Sequence, residues 1–376
     1  MNINVKCIGE TAHPHTIKKF ELIDAYIKKW AETLLNYDKC NGIIFIDCMC
    51  NCGIYCDVNG NGVCGTPIRV AKTLQSVAEK YLNKKVNLIF NDISEEKIEV
   101  LTKYLPPESD NFKISLYAKD GNVLLKELST QLRASDHMNF FLLYDPYEAS
   151  IDWDAIAPYL QNWGEVLINH MVYDSIRAIP QVKTPKATEK YQNTYLSWIT
   201  ELVPFGSDRK AYEKRIEEII TKLKGNSERE YYLASFPFFN SKNASLYDLV
   251  FCTSNKKGFK IFKQTAWNTF GGRSSIKRTS EDENQTQLNF EGNGIIKTNV
   301  DENCYCVKDI ADYLYMKFVG RSNVNLGELW ECLDAHPVFP SDGYKNKIKK
   351  ELKELYGVKF SRSSAFIDGI DKNEVS

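Results

Sequence analysis

Short apolar runs alternate along the first half of the chain with segments in which apolar residues recur every three or four positions. The apolar runs, five or six residues long, predict strands that are buried on both faces. These strands cover residues 43–47, 86–90, 113–117, 139–144 and 165–169. The segments with helical spacing predict helices at about 16–35, 67–82, 95–105 and 153–160, with one more helix after Gly121.

This repeated alternation of strand and helix indicates a parallel sheet covered by helices, which is a doubly wound α/β fold. Two later runs, residues 232–239 and 247–253, alternate around an Asn-Ser-Lys-Asn turn and predict an antiparallel hairpin. We therefore expect a Rossmann-like, mostly parallel sheet that ends in an antiparallel hairpin.

The same patterns divide the chain into domains. Residues 1–275 form the predicted α/β domain, and charged helical stretches within it predict a helical insertion at about 175–228. Residues 276–303 are polar and weakly periodic, so we interpret them as a linker. Residues 304–376 contain three candidate helices and predict a small helical or winged-helix-like domain.

The net charge of the chain is close to zero, which bears on whether it binds nucleic acid or membrane through bulk charge. The chain has 376 residues, with 48 Lys and Arg against 49 Asp and Glu, so bulk charge does not attract it to nucleic acid or membrane. Residues 341–362 are locally basic, which indicates a solvated helix face or, as the alternative, a contact with a phosphate backbone. No apolar run is long enough to span a bilayer and the first residues do not resemble a signal peptide, so we expect a cytoplasmic protein.

Acidic residues follow four of the predicted strands. They are Asp47, Asp92, Asp120 and Asp145. Ligands of parallel sheets bind at the carboxyl ends of the strands, so these carboxylates mark one candidate site. The loop after the first strand lacks the Gly-x-Gly-x-x-Gly pattern of pyrophosphate binding. A cofactor without phosphates, such as S-adenosylmethionine (SAM), does not require this glycine pattern.

A short motif, Asp145-Pro146-Tyr147, follows the fourth predicted strand. Its acid and backbone carbonyls can accept hydrogen bonds from an amine, and its aromatic ring can stack on a planar base. On its own, the tripeptide is more typical of a strand-to-helix turn in which Asp145 caps the helix and Tyr147 packs. The acids at the other strand ends favour the functional interpretation.

These segments together carry a family resemblance. The stretch from His15 to Lys18 looks like a His-Thr-x-x-Lys start, residues 45–55 resemble a Tyr-Ile-Asp-Gly-Phe-Ala-Gly-Pro-Gly-x-Tyr loop, and Asp145 to Glu148 are similar to Asp-Pro-Phe-Gly. The chain thus resembles the three-Cys-motif partner (TcmP) family, which has a class I methyltransferase fold, over about residues 13–270.

The resemblance implies a SAM-dependent methyltransferase that acts on an amine of a nucleobase or another planar acceptor. Asp145, Pro146 and Tyr147 would orient the acceptor. The implied cofactor-binding residues are His15, Lys18, Asp47, Cys48, Asn51, Gly53, Asp92, Ile93, Asp120 and Gly121. Within this set, Asp92 would bind the ribose hydroxyls and Asp120 the adenine amine.

Cysteines make the loop unusual. Of eleven cysteines, five lie in residues 48–64, and Cys48, Asn51 and Cys52 replace family glycines and a proline. Without a secretion signal we expect no disulfide framework, and the spacing lacks paired Cys-x-x-Cys motifs, so small side chains around a turn are favoured over a zinc or iron–sulfur site. The altered loop leaves open a second hypothesis: a non-catalytic partner or regulator of a radical SAM three-Cys-motif protein, acting on nucleic acid.

Overall fold

The computed structural model describes residues 2–3, 10–132, 138–146, 150–161, 164–171, 184–185, 189, 194, 209–223, 230–240, 245–276 and 304–367. The chain divides into two compact units. The first comprises residues 1–238 and 245–259, and the second comprises residues 239–244 and 260–376. Most of the predicted insertion at 175–228 and nearly all of the predicted linker at 276–303 lie outside the described residues.

Strands and helices alternate through the first part of the chain as the sequence predicts. The elements up to residue 253 are β1 (Asn2–Ile3), α1 (Pro14–Leu35), β2 (Gly42–Asp47), β3 (Ile54–Cys56), β4 (Gly62–Cys64), α2 (Thr66–Ala78), β5 (Lys85–Asn91), α3 (Glu95–Thr102), β6 (Phe112–Tyr117), α4 (Gly121–Leu132), β7 (Met138–Tyr144), α5 (Trp153–Gln161), β8 (Gly164–His170), α6 (Arg209–Leu223), β9 (Tyr232–Phe239) and β10 (Ser245–Thr253). The sequence did not predict the short strands β3 and β4, which lie within the predicted loop after the first strand of the parallel sheet. They form a small sheet with β1 from the start of the chain.

The central sheet has seven strands in the order β6-β5-β2-β7-β8-β10-β9. Its first five members pair in parallel, and β10 runs antiparallel to β8. Numbered within the sheet alone, this order is 3-2-1-4-5-7-6 with the seventh strand reversed, which is the arrangement of Rossmann-like methyltransferase folds. The predicted fold class is therefore confirmed.

Helix α1 covers one face of this sheet with the apolar stripe that its sequence predicts. Phe20, Ile23, Ile27 and Trp30 are all buried, and the Trp30 ring meets Phe141 of β7 edge-on at 5.7 Å. The helix begins at Pro14, two residues before the predicted start, because proline suits the first turn of a helix. Its first two turns therefore lie beside the carboxyl ends of the central strands.

Asn91, at the end of β5, ties together the loops that follow three strands. Its side chain donates to the carbonyl oxygens of Cys48 at 2.9 Å and Lys119 at 3.0 Å, and accepts from the Lys119 amide at 3.1 Å. The loops that carry the candidate site are thus held by one fully buried amide.

We expect Asn91→Ala to lower the free energy of unfolding by about 2–4 kcal/mol, because it leaves buried backbone groups without partners. Urea denaturation measures this change. Asn87→Ala, on the same strand but half-buried, is the matched control and should cost under about 1 kcal/mol. Equal losses in the two variants would contradict the role of Asn91.

The second unit contains a helix–strand–helix–helix–strand–strand succession. Helix α7 (Lys256–Thr269) leads into it, followed by α8 (Val307–Phe318), β11 (Arg321–Asn325), α9 (Leu326–Ala335), α10 (Lys345–Tyr356), β12 (Lys359–Phe360) and β13 (Ser364–Ile367). The three strands form an antiparallel sheet in the order β11-β13-β12. The sequence predicts the three helices but misses the short strands. Within the described residues, no helix has the length and apolarity needed to cross a membrane.

Candidate functional site

A cavity of about 340 Å³ opens at the carboxyl ends of β2, β7 and β8, in the first unit. The first turns of α1 and the start of α2 complete its wall. The polar residues that line it include His15, Lys19, Asp47, Asn51, Asp145 and Asn169. The cavity therefore lies where parallel sheets bind their ligands.

An ion pair and a hydrogen bond converge on Asp145. One carboxylate oxygen lies 2.6 Å from the ammonium nitrogen of Lys19, and the other accepts from the side-chain amide of Asn169. Lys19 is buried, and its ammonium also lies 5.3 Å from the centre of the Tyr247 ring. Both oxygens of Asp145 are thus engaged within the protein.

Asn169 leaves one polar atom of this group unsatisfied. Asn169 is only 5% exposed, and its side-chain oxygen is buried without a hydrogen-bond partner among the described residues. A buried carbonyl oxygen without a partner costs free energy, so its position in the cavity wall suits a ligand that brings an N–H or O–H donor.

Asp47, the last residue of β2, is 2% exposed. Burial, and after it the nearby carboxylate of Asp145, raises the pKa of its carboxyl to about 8. The Met49 amide, which donates to Asp47 at 3.3 Å, and the ammonium of Lys19 oppose the rise in pKa. At neutral pH this carboxyl is therefore mostly protonated, and Asp145 and Lys19 nearly cancel each other's charge.

His15 adds no charge to the cavity. Burial, together with the charges of His13 and Lys19, lowers the pKa of its imidazole to about 4. Its ring contacts Tyr247 edge-on at 6.1 Å, and the Tyr247 hydroxyl donates to the His15 carbonyl oxygen at 3.5 Å. A neutral imidazole and a tyrosine ring thus form the wall beside Lys19.

The structure brings together several of the residues that the sequence proposed. His15, Asp47, Asn51, Asp145 and Pro146 all line the cavity. Tyr147, which was expected to stack on the acceptor, lies outside the described residues.

Other proposed residues lie away from the cavity wall. Lys18 is on the surface, with its ammonium 2.7 Å from Glu21. Cys48 is fully buried and its thiol donates to the Leu143 carbonyl oxygen. Gly53 adopts φ +70° and packs closely against Leu101 and Ile68, so it serves the loop's own fold.

Lys19, rather than Lys18, is the lysine of the cavity, and the sequence reasoning missed it. The helical spacing of α1 contains a signal for it. Lys19 precedes Ile23 and Ile27 at intervals of four residues, so it lies on the same buried face of the helix. Asn169 ends the fifth predicted strand, but an amide at a strand end gives a weaker sequence signal than the four acids at the other strand ends.

The residues predicted for the nucleoside lie on the loops after β5 and β6. Asp92 is buried, and its carboxylate accepts from the amides of Asn51 and Ser94, both at 3.0 Å. Asp120 accepts from two amides at the start of α4. Ile93 is 74% exposed, and Gly121 packs against the Cys48 carbonyl oxygen and Met49.

The cysteine-substituted loop keeps its turn through Asn51, which adopts φ 57° where glycine is usual. Its side-chain oxygen accepts from the Cys52 amide at 2.7 Å. Cys48 and Cys50 are buried, and burial raises the pKa of both thiols well above the usual value, so neither is a reactive thiolate. Cys56 is disulfide-bonded, whereas the other cysteines in the described part of the chain form no disulfide.

Metal binding finds no support in the described part of the chain. No group of three or more His, Cys, Asp or Glu side chains lies there in an arrangement that could hold a metal ion.

No family model matches the sequence, and no curated protein matches it. Among solved structures, a DUF519-family protein from Legionella pneumophila is 12% identical over 67% of this chain and 92% of its own, with a TM-score of 0.40. Human methyltransferase-like protein 13 in complex with SAH is 10% identical over 68% of this chain and 92% of its own, with a TM-score of 0.31. Loganic acid methyltransferase with SAH is 12% identical over 68% of this chain and 83% of its own, with a TM-score of 0.29. The class of the fold, methyltransferase-like, rests on the strand order itself.

Proposed function

We propose that the protein is a SAM-dependent methyltransferase that acts on an amine of a planar acceptor. The observation that carries this proposal is the cavity at the carboxyl ends of β2, β7 and β8, where Asp145, Lys19 and Asn169 form one connected polar group. Because a fold does not fix a function, the proposal depends on the chemistry of this group.

The described residues fit the amino-acid half of SAM. Its carboxylate would meet the ammonium of Lys19, and its amino group would supply a donor to the unsatisfied oxygen of Asn169. Asp47 and Asn51 would shape the same side of the pocket.

For the nucleoside half, Ile93 offers an exposed apolar surface and Asp120 an exposed carboxylate on neighbouring loops. Each oxygen of Asp92 already accepts an amide, and the Lys97 ammonium lies 3.9 Å from one of them, so a lone pair of the other would accept a ribose hydroxyl.

Bound SAM would supply a methyl group on a sulfonium, which is a good leaving group. The protein's task is then to align the acceptor nitrogen with that methyl group, which is a matter of position rather than acid–base chemistry. Asp145 is fixed on both oxygens, so it presents a rigid edge to the acceptor. Pro146 stiffens the backbone that follows.

The near-cancellation of charge also suits this reaction. Lys19 alone would repel a sulfonium cation, and the Asp145 carboxylate at 2.6 Å offsets that repulsion. The role as a partner of a radical SAM three-Cys-motif protein stays a prediction from the family resemblance.

Adjacent lysines provide a matched test of the cavity. S-Adenosylhomocysteine (SAH) at about 100 times its dissociation constant should raise the unfolding temperature of the wild type by about 3 °C or more. Lys19→Met should abolish most of this increase, because it removes the cationic partner of the ligand carboxylate. Lys18→Met removes the same charge from the surface and should leave the increase intact. A similar response of the two variants would contradict the assigned site.

A further inference from the structure

A row of lysines runs along one side of α10 in the second unit. Lys345, Lys349 and Lys353 are spaced by four residues, so they lie on one side of the helix over about 12 Å. We call these three residues the basic row. Ile348 and Leu352 are buried and anchor the helix in the unit.

Aromatic rings hold the basic row in place. The ammonium of Lys345 lies 5.7 Å from the Trp330 ring centre, that of Lys349 lies 5.4 Å from Phe360, and that of Lys353 lies 5.8 Å from Phe360. Such contacts orient the long side chains while leaving the charges at the surface. The row is therefore a partly preorganised line of positive charge.

Acidic residues do not neutralise most of this line. Glu354 pairs with Lys350 at 3.7 Å, and Asp342 with Lys345 at 3.4 Å. Lys349 and Lys353 form no salt bridge within the described part of the chain. Exposed Arg362, in the turn between β12 and β13, extends the positive surface beyond the helix.

We propose that the second unit binds duplex DNA, with α10 in the major groove and the β12–β13 turn on the flanking phosphate backbone. An α-helix with its side chains is about 10–12 Å wide, which matches the roughly 12 Å major groove of B-form DNA. The major groove of duplex RNA is too narrow for side chains to enter. Lysine contacts to phosphate give affinity without sequence preference.

This proposal is independent of methyl transfer, since it rests on residues of the second unit alone. Its elements follow one another as helix, strand, two helices and two strands, and the winged-helix-like character of the unit stays a prediction from the sequence. Binding at this surface would bring the first unit, whatever its chemistry, to a nucleic acid.

The test uses the full chain and a fluorescein-labelled duplex of about 20 base pairs, with binding followed by anisotropy from 50 to 200 mM salt. Contacts to about four phosphates predict that the logarithm of the association constant falls with that of salt with a slope of about −3 to −4. Affinity should therefore drop about 100-fold over this range.

Paired substitutions identify the surface. The double variant Lys349→Gln with Lys353→Gln should weaken binding at least about tenfold at 50 mM salt and reduce the slope by about two. The control, Lys308→Gln with Lys317→Gln, removes equal charge from exposed positions of α8 and should change affinity less than about threefold. All four positions are exposed or half-exposed, and circular dichroism establishes that each variant folds.

Several results would overturn the proposal. They are no binding of the duplex at 50 mM salt, equal weakening by the two double variants, or equal affinity for an RNA duplex of the same sequence. Tighter binding to vesicles of anionic phospholipid than to DNA would also overturn it, because the surface would then serve a membrane.

Discussion

Asp145→Asn is expected to weaken the binding of SAM about 100-fold more than it weakens the binding of SAH. The substitution removes the carboxylate that offsets Lys19, so the cavity gains a net positive charge. SAM carries a sulfonium and SAH a neutral sulfur, and a charge pair near 5 Å at an effective dielectric constant of 20 is worth about 3 kcal/mol. Calorimetric titration with each ligand measures the ratio.

The same variant should lower the free energy of unfolding by about 2–4 kcal/mol, because a buried ammonium loses its partner. Lys19→Met combined with Asp145→Asn should recover part of that loss, with a coupling of about 1–3 kcal/mol in a double-mutant cycle. Equal weakening of SAM and SAH, or additive losses of stability, would contradict the proposed charge balance.

Asp47→Asn is expected to stabilise the protein at pH 8 by about 2–4 kcal/mol and to change its stability little at pH 4. The folded protein holds the Asp47 proton up to a pKa of about 8, whereas the unfolded chain releases it near pH 4. Between these values the folded state binds more protons, so this carboxyl makes the protein less stable as pH rises. Asparagine keeps an oxygen to accept the Met49 amide and has no proton to lose.

Urea denaturation of wild type and variant at both pH values measures this difference. Burial also raises the pKa of Glu165 to about 7, but that residue is common to the two proteins and its contribution cancels. A stabilisation of the same size at pH 4 and pH 8 would show that Asp47 does not titrate as described.

Strand ends were predictable from sequence because short apolar runs bounded by polar residues are typical of buried parallel strands. Since β2 and β7 are neighbours, Asp47 and Asp145 had to meet at one edge of the sheet. The positions of these two carboxylates in the cavity could therefore be predicted from the sequence.

Side-chain direction could not be predicted in the same way. Asp92 also ends a strand, yet its carboxylate accepts the Asn51 amide because Asn51 adopts φ 57° and aims that amide at it. Loop conformation of this kind depends on tertiary packing. Lys19 was not predicted because lysine is normally typical of a solvated helix face. Its buried ammonium is paired with Asp145, which lies 126 positions away in the sequence.

Calorimetric titration of the full chain with SAH, compared with adenosine alone, tests most directly whether this cavity is a SAM site. We predict one SAH bound per chain, with adenosine at least about 100-fold weaker, because the contacts of Lys19 and Asn169 serve the amino-acid half of the ligand. Failure of folded protein to bind SAH, or adenosine binding as tightly as SAH, would contradict that assignment.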